Sequence, residues 1–318
     1  MSDFPRIIFY GTPDFAVASL ARLTEDGFPV VAVVTAPDKP AGRGLKMTGS
    51  PVKQYAVSRG LKVLQPVSLK DPAFQEELCS LKPDLQVVVA FRMMPRQIWS
   101  LPPLGTFNLH ASLLPQYRGA APINWSVING EKETGVTTFL LEEKIDTGKI
   151  LFSERTPIGP GETAGELHDR LMEIGAGLVV KTVTAVAEGN ISAISQHGLI
   201  TEGMKLKPAP KFTRDDARID WSKEVNDVFN LIRGMSPYPG AFTTITLNDG
   251  HAISVKILRA SMLTDPDAAE EGTVLTDHKT FLRISAKNGY VDISEIQPSG
   301  RRVMNIREFL NGFGRMIG

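Results

Sequence analysis

The sequence predicts an α/β fold: an open, mostly parallel sheet with flanking helices, followed by a small C-terminal β-barrel. Three observations predict it. Short apolar runs alternate with helical periodicity through the first half of the chain, the pattern of a sheet covered on both sides. One run, Asp84-Leu-Gln-Val-Val-Val-Ala90, is apolar enough to be buried on both faces, as parallel strands are. Late in the chain the helical period gives way to alternating runs broken by Asn248-Asp-Gly250 and Asn288-Gly289, strong short-range hairpin signals.

The elements follow in order. Arg6-Ile-Ile-Phe-Tyr-Gly11 is a strand stopped by glycine, and Thr12-Pro13 reads as an N-cap with proline in the first turn of a helix over 14–27. Residues 30–35, nearly continuous in Val, form the next strand. A long basic loop, 38–53, follows, then a helix over 53–60, a strand at 62–64 and a helix over 71–82. Strands are expected at 84–90, 105–110 and 136–141. Thr163-Ala-Gly-Glu166 is a capping box opening a helix that continues to about Glu188. Residues 204–215 are rich in Pro and Lys and lack periodicity, so they read as a linker. One helix, 222–235, precedes short strands that suit a small barrel or sandwich. The domain division is therefore 1–203, a linker at 204–215, and 216–318.

Composition bounds the function. The 318 residues carry 35 Lys and Arg against 35 Asp and Glu, with 42% apolar residues, an ordinary globular balance with no global pull toward nucleic acid. A single cysteine excludes an intramolecular disulfide and a cysteine-rich zinc site; Cys79 is expected to pack in its helix. The N-terminus lacks the pattern of a secretory signal and no apolar run is long enough to span a bilayer, so a cytoplasmic protein is expected. No G-x-G-x-x-G, Walker loop, G-x-S-x-G or H-E-x-x-H occurs, which disfavours hydride transfer. His168, His197, His251 and His278 lack ligand spacing and read as structural or surface residues.

The residues suited to chemistry cluster centrally. Strand alternation sends Asn108 and His110 to one side and Phe107 and Leu109 to the other. An amide donor beside an imidazole can stabilise charge on a carbonyl oxygen. The Pro- and Gly-dense loop after them, 111–125, sits where open α/β sheets bind ligands. Asp146, after an apolar strand, could orient the histidine or serve only as a turn residue. In the 38–53 loop, Arg43 and Lys46 could meet phosphates.

Several ordered segments together make the chain resemble the folate-dependent formyltransferases. Phe9-Tyr-Gly-Thr-Pro-Asp-Phe15 is similar to the family's opening, and Asp38-Lys-Pro-Ala-Gly-Arg-Gly44 to its inserted loop. Phe107-Asn-Leu-His-Ala-Ser-Leu-Leu-Pro115, Tyr117-Arg-Gly-Ala-Ala-Pro122 and Asp146-Thr-Gly148 resemble its catalytic and folate-binding stretch. Ala209-Pro-Lys-Phe-Thr213, Arg218-Ile-Asp-Trp221 and Pro237-Tyr-Pro-Gly240 resemble the start of its C-terminal domain. Departures fall at Phe91–Pro95, Lys144, Ile145 and Lys149.

The resemblance implies a Rossmann-like catalytic domain over 1–203 and an OB-like barrel over 216–318 that holds tRNA. It implies 10-formyltetrahydrofolate as co-substrate, no metal, and Asn108, His110 and Asp146 as the catalytic trio. Ser112, Leu113, Leu114 and Pro115 would line the folate site. The 38–53 loop narrows the acceptor to methionyl initiator tRNA, contacted by Arg43, Lys46, Lys205, Lys207 and Lys211, in a monomer acting in translation initiation. Formyl transfer to an amino-sugar nucleotide, or RNA binding by an inactive core, stays open.

Overall fold

The computed structural model describes residues 4–41 and 46–317. They divide into two compact units: 1–119, 134–156 and 168–208 in the first, and 120–133, 157–167 and 209–318 in the second, masked residues aside.

The first unit is built on a seven-stranded sheet. Its elements are β1 (Ile7–Gly11), α1 (Asp14–Glu25), β2 (Val30–Val34), β3 (Lys39–Ala41), β4 (Lys46–Thr48), α2 (Pro51–Ser58), β5 (Val63–Leu64), α3 (Pro72–Ser80), β6 (Leu85–Val89), α4 (Arg96–Trp99) and β7 (Thr106–His110). β8 (Glu133–Leu140), β9 (Ile150–Pro157) and α6 (Ala164–Ala187) follow in chain order, while α5 (Pro122–Ile128), between β7 and β8, and the first turn of α6 are counted in the second unit. The strand order is β5-β2-β1-β6-β7-β8-β9. β1 pairs in parallel with β2 and β6, and β6 with β7, whereas β8 runs antiparallel to β7. β1 and β6 are buried along their whole lengths, as their unbroken apolar text requires. A Cβ on Gly11 would come within 2.6 Å of the Ala16 Cβ, so glycine lets α1 turn back tightly on β1. Gly175 of α6 likewise lies close over Leu109 of β7, 2.7 Å from the position of a Cβ to Leu109 Cδ2.

Several local expectations need correcting. The described part of the 38–53 segment is not an unstructured loop: β3 and β4 pair as a ribbon, Lys39 opposite Thr48 and Pro40 opposite Met47. Its base is pinned at Asp38, which accepts from Lys53 Nζ at 2.6 Å and Gln65 Nε2 at 2.7 Å. Those two bonds, Gln65 first, hold the Asp38 carboxyl below its usual range. α2 begins at Pro51 because Ser50 caps Lys53 N–H. Pro13, not Thr12, occupies the cap position of α1, without a side-chain cap. Cys79 is exposed on α3 rather than packed, since the helix turns Phe74 and Leu78 inward instead.

The second unit holds α7 (Val225–Met235), β10 (Ala241–Thr246), β11 (Ala252–Thr264), β12 (Val274–Thr276), β13 (Leu282–Ala286), β14 (Gly289–Pro298), β15 (Met304–Asn305) and α8 (Ile306–Phe313). The strands form one antiparallel sheet, β10-β11-β14-β13-β12, with β15 added to β14. It is curled into a half-barrel, and register shifts near Arg259 bend β11. Its core gathers Val228, Ile232 and Met235 of α7, the inward residues of the strands, and Phe309 and Leu310 of α8.

Candidate active site

The site forms where the strand direction changes, at the C-terminal end of β7. Asn108 pairs in register with Val88 and Phe139, and His110 with Thr137. Phe107 and Leu109 are buried in the sheet's packing, leaving Asn108 and His110 on the other side. Asn108 is half-buried, and its side-chain amide makes no hydrogen bond among the described residues.

His110 is fixed from both ends. Nε2 lies 2.8 Å from the Tyr117 carbonyl. A carbonyl only accepts, so Nε2 carries the proton, and Nδ1 is the basic atom. Nδ1 faces Asp146 Oδ2 at 3.9 Å, with the two side chains 7% and 14% exposed. That separation is too long for a hydrogen bond but short enough for an ion pair once the ring is protonated.

Asp146 is held in turn. Its Oδ2 accepts from the Gly119 N–H at 3.0 Å. Its φ of +53° and that of Tyr117, +58°, are left-handed, costing on the order of 1–3 kcal/mol each for residues with a side chain. Distant segments hold both. Tyr117 N–H donates to Lys207 O at 2.7 Å, and the Asp146 carbonyl accepts from Gln196 Nε2 at 2.9 Å. Gly148 is required by close approach: a Cβ there would sit 1.7 Å from the Leu140 carbonyl oxygen.

The loop between histidine and tyrosine is also tied down. Thr137 Oγ1 donates to the Ser112 carbonyl at 2.7 Å, and Ser112 Oγ to the Gln116 carbonyl at 2.7 Å. Ser112 is fully buried and its side chain is spent inside the loop. Leu114 and Pro115 are buried, and Leu113 lies half-buried against Gly135, where a Cβ would meet its Cδ2 at 2.7 Å.

Thus the structure brings Asn108, His110, Asp146 and 112–115 into one region of the first unit. Lys205 and Lys207 are exposed beside it, their backbone bonded to the Gln116 amide. Exposed Lys211 belongs to the second unit and lines a cavity of about 810 Å³ with Arg214, Phe242 and Lys256. Lys46 begins β4, whereas Arg43 lies outside the described residues. Sequence reasoning missed Gln116, Thr137 and Gln196. No local pattern marks them, because each acts across 16 to 91 residues of chain. Among the described residues no group of three or more His, Cys, Asp or Glu could hold a metal ion, and no helix is long and apolar enough to cross a membrane.

Residues 5–183 match the family model described as formyl transferase, and residues 211–314 match that of its C-terminal domain. A methionyl-tRNA formyltransferase of Parabacteroides distasonis is 50% identical over 309 residues, 97% of this chain and 95% of the relative. One of Flavobacterium johnsoniae is 46% identical over 307 residues, 96% of each. Among solved structures, an N-formyltransferase from Helicobacter canadensis in complex with folinic acid and dTDP-3-aminofucose superposes with TM-score 0.67 at 20% identity, covering 91% of this chain and 98% of that one. HypX from Aquifex aeolicus in complex with tetrahydrofolic acid gives 0.65 at 18% identity, over 98% of this chain and 47% of that one. At such identities the two structures show a shared fold alone.

Proposed function

The chain belongs to the formyl transferase family, and on that premise we propose that it transfers the formyl group of 10-formyltetrahydrofolate to the α-amino group of methionyl initiator tRNA. The acceptor follows the names of relatives about half identical over nearly the whole chain. The observation that carries the chemistry is the unspent Asn108 amide beside a histidine of fixed tautomer.

When the acceptor amine attacks the formyl carbon, negative charge develops on the formyl oxygen. Asn108 donates to that oxygen, an amide already in place and with no partner among the described residues to give up. Because Tyr117 holds the Nε2 proton, His110 works through Nδ1: it takes the proton the amine must lose, and as an imidazolium it can donate toward the oxyanion. Asp146, kept 3.9 Å away by Gly119, balances that positive charge without capturing Nδ1 in a hydrogen bond. Collapse of the tetrahedral adduct re-forms the carbonyl and breaks the C–N10 bond, and N10 takes the proton from His110 Nδ1, which returns the ring to its neutral form. The folate would lie against the apolar surface of Leu113, Leu114 and Pro115; Ser112 contributes by shaping the loop, since its hydroxyl is already bonded.

In this reading residues 1–203 carry the chemistry, and 216–318 hold the tRNA body. Lys205, Lys207 and Lys211 meet phosphates along the connecting stretch, while Arg43 and Lys46 meet the acceptor end. From Met204 onward there are 16 Lys and Arg and 14 Asp and Glu, so such contacts depend on placement, not net charge. The same reading puts a monomer in the cytoplasm.

The test is an acceptor screen with a labelled formyl donor. Label should pass to methionyl initiator tRNA and not to amino-sugar nucleotides or small amines. Transfer to an amino-sugar nucleotide in preference to the tRNA would overturn the proposal.

A further inference from the structure

We propose that Gln196 is a positioning residue for the reaction: with Arg118 it clamps the Asp146 turn to the turn that orients His110, and so sets the His110–Asp146 separation. The inference rests on the function proposed above.

Gln196 is 2% exposed and lies in a short turn 50 residues beyond Asp146. Its amide is fully spent, and its orientation is forced. Nε2 donates to two carbonyls, Asp146 O at 2.9 Å and Gly148 O at 2.8 Å. Oε1 accepts from Arg118 Nε at 3.1 Å and Nη2 at 2.7 Å. Carbonyls accept and guanidinium groups donate, so the reverse orientation would break all four bonds.

Those bonds end on the two sides of the candidate site. Arg118 stands between Tyr117, whose carbonyl fixes the His110 tautomer, and Gly119, whose N–H holds the Asp146 carboxylate. Asp146 and Gly148 flank the other side. Asp146 itself is left-handed, a conformation that persists only where surrounding contacts over-determine it. Gln196 supplies that constraint from a third segment. Without it the Asp146 turn relaxes, the carboxylate leaves its place opposite Nδ1, and proton transfer loses its alignment, while surfaces that bind either substrate are untouched.

Gln196→Glu is the decisive variant. It keeps size and burial and can still pair with Arg118, but sets a carboxylate against two carbonyls. In wild-type protein the ¹⁵N shifts of the His110 ring should report the Nε2–H tautomer. In Gln196→Glu the tautomers should mix, and kcat should fall roughly 10–100-fold with both KM values retained, the effect of misplacing a catalytic group by about an ångström. Wild-type ring shifts together with wild-type kcat would overturn the proposal; so would a fall confined to KM.

Should Gln196→Glu fail to fold, Arg118→Lys decides the matter. It keeps the positive charge at a half-buried position and loses the two-pronged grip on Oε1. It should show the same tautomer mixing with a smaller loss of kcat, and ring shifts and kcat like those of wild type would overturn the clamp. Wild-type turnover is read in the same assay. If wild-type protein formylates no acceptor, the proposed function fails, while the ring shifts still decide the role of Gln196.

Discussion

The His110 region and the C-terminal sheet are stabilised in opposite ways. Around His110 the chain is held by hydrogen bonds between segments far apart in sequence: Thr137 to Ser112, Tyr117 to Lys207, Gln196 to Asp146. Two left-handed non-glycine residues are kept there. In the C-terminal sheet the opposite holds. Hairpin turns join neighbouring strands, an Asn305–Glu308 capping box opens α8, and an apolar core gathers under the sheet. The sheet is stabilised by area removed from water; the site is stabilised by satisfied polar groups, each costly to orphan. Precision at a few atoms needs directional bonds, and a non-directional core cannot supply it.

If that contrast is right, stability and turnover should separate. Phe309 is fully buried and stacks on Phe313 at 5.0 Å between ring centroids. Phe309→Ala should destabilise the second unit by about 3–5 kcal/mol, the cost of emptying an aromatic site in a core. Chemical denaturation measures this, and kcat per folded molecule should stay near wild type. A comparable fall in kcat would mean that the site borrows its order from that core.

Asn108→Ala is the converse. Its amide is bonded to nothing within the described residues, so melting should barely move. Turnover should drop on the order of 10²–10³-fold, about 2.7–4 kcal/mol of transition-state stabilisation. His110→Ala should lose turnover as well, but with a stability loss, because it removes the Nε2–H bond to the Tyr117 carbonyl. Near-normal turnover in Asn108→Ala would remove Asn108 from the chemistry.

The same contrast explains what could be read from sequence. The parallel sheet was legible because burial on both faces writes a continuous apolar run, as in 85–89, and the hairpins because Asn-Gly is a local signal. Asn108 and His110 were legible through strand alternation. The pairing of β3 with β4 was not, since the Pro and Gly in that stretch of sequence hid a three-residue ladder. Gln196 and Gln116 were invisible for a deeper reason. A glutamine that satisfies distant carbonyls looks like any other glutamine until the fold brings the carbonyls to it.

One contact in the second unit joins the two modes, and it supplies the smallest expected effect. Glu166 closes the capping box at the start of α6, accepting from Thr163 N–H at 2.9 Å and Thr163 Oγ1 at 2.8 Å. It also accepts from Arg259 Nη2 at 2.6 Å, 93 residues away. These bonds, Arg259's the largest, pull its carboxyl down to about 2 from 4.5. The folded value is the lower one, so the charged form favours the fold. Its stabilisation is complete above pH 4.5 and disappears as the pH falls through about 2. Both side chains are 46% exposed, so solvent screens the charge pairing and the gain is that of a helix cap, about 1 kcal/mol. Unfolding free energies of wild type and Glu166→Gln should therefore differ most above pH 5 and converge toward pH 2, roughly the window between the two carboxyl values. In high salt the Arg259 share should shrink, leaving the Thr163 share. A difference between the two proteins that stays constant across that window would show that the glutamate acts by shape alone, and the local capping box would then account for all of its effect.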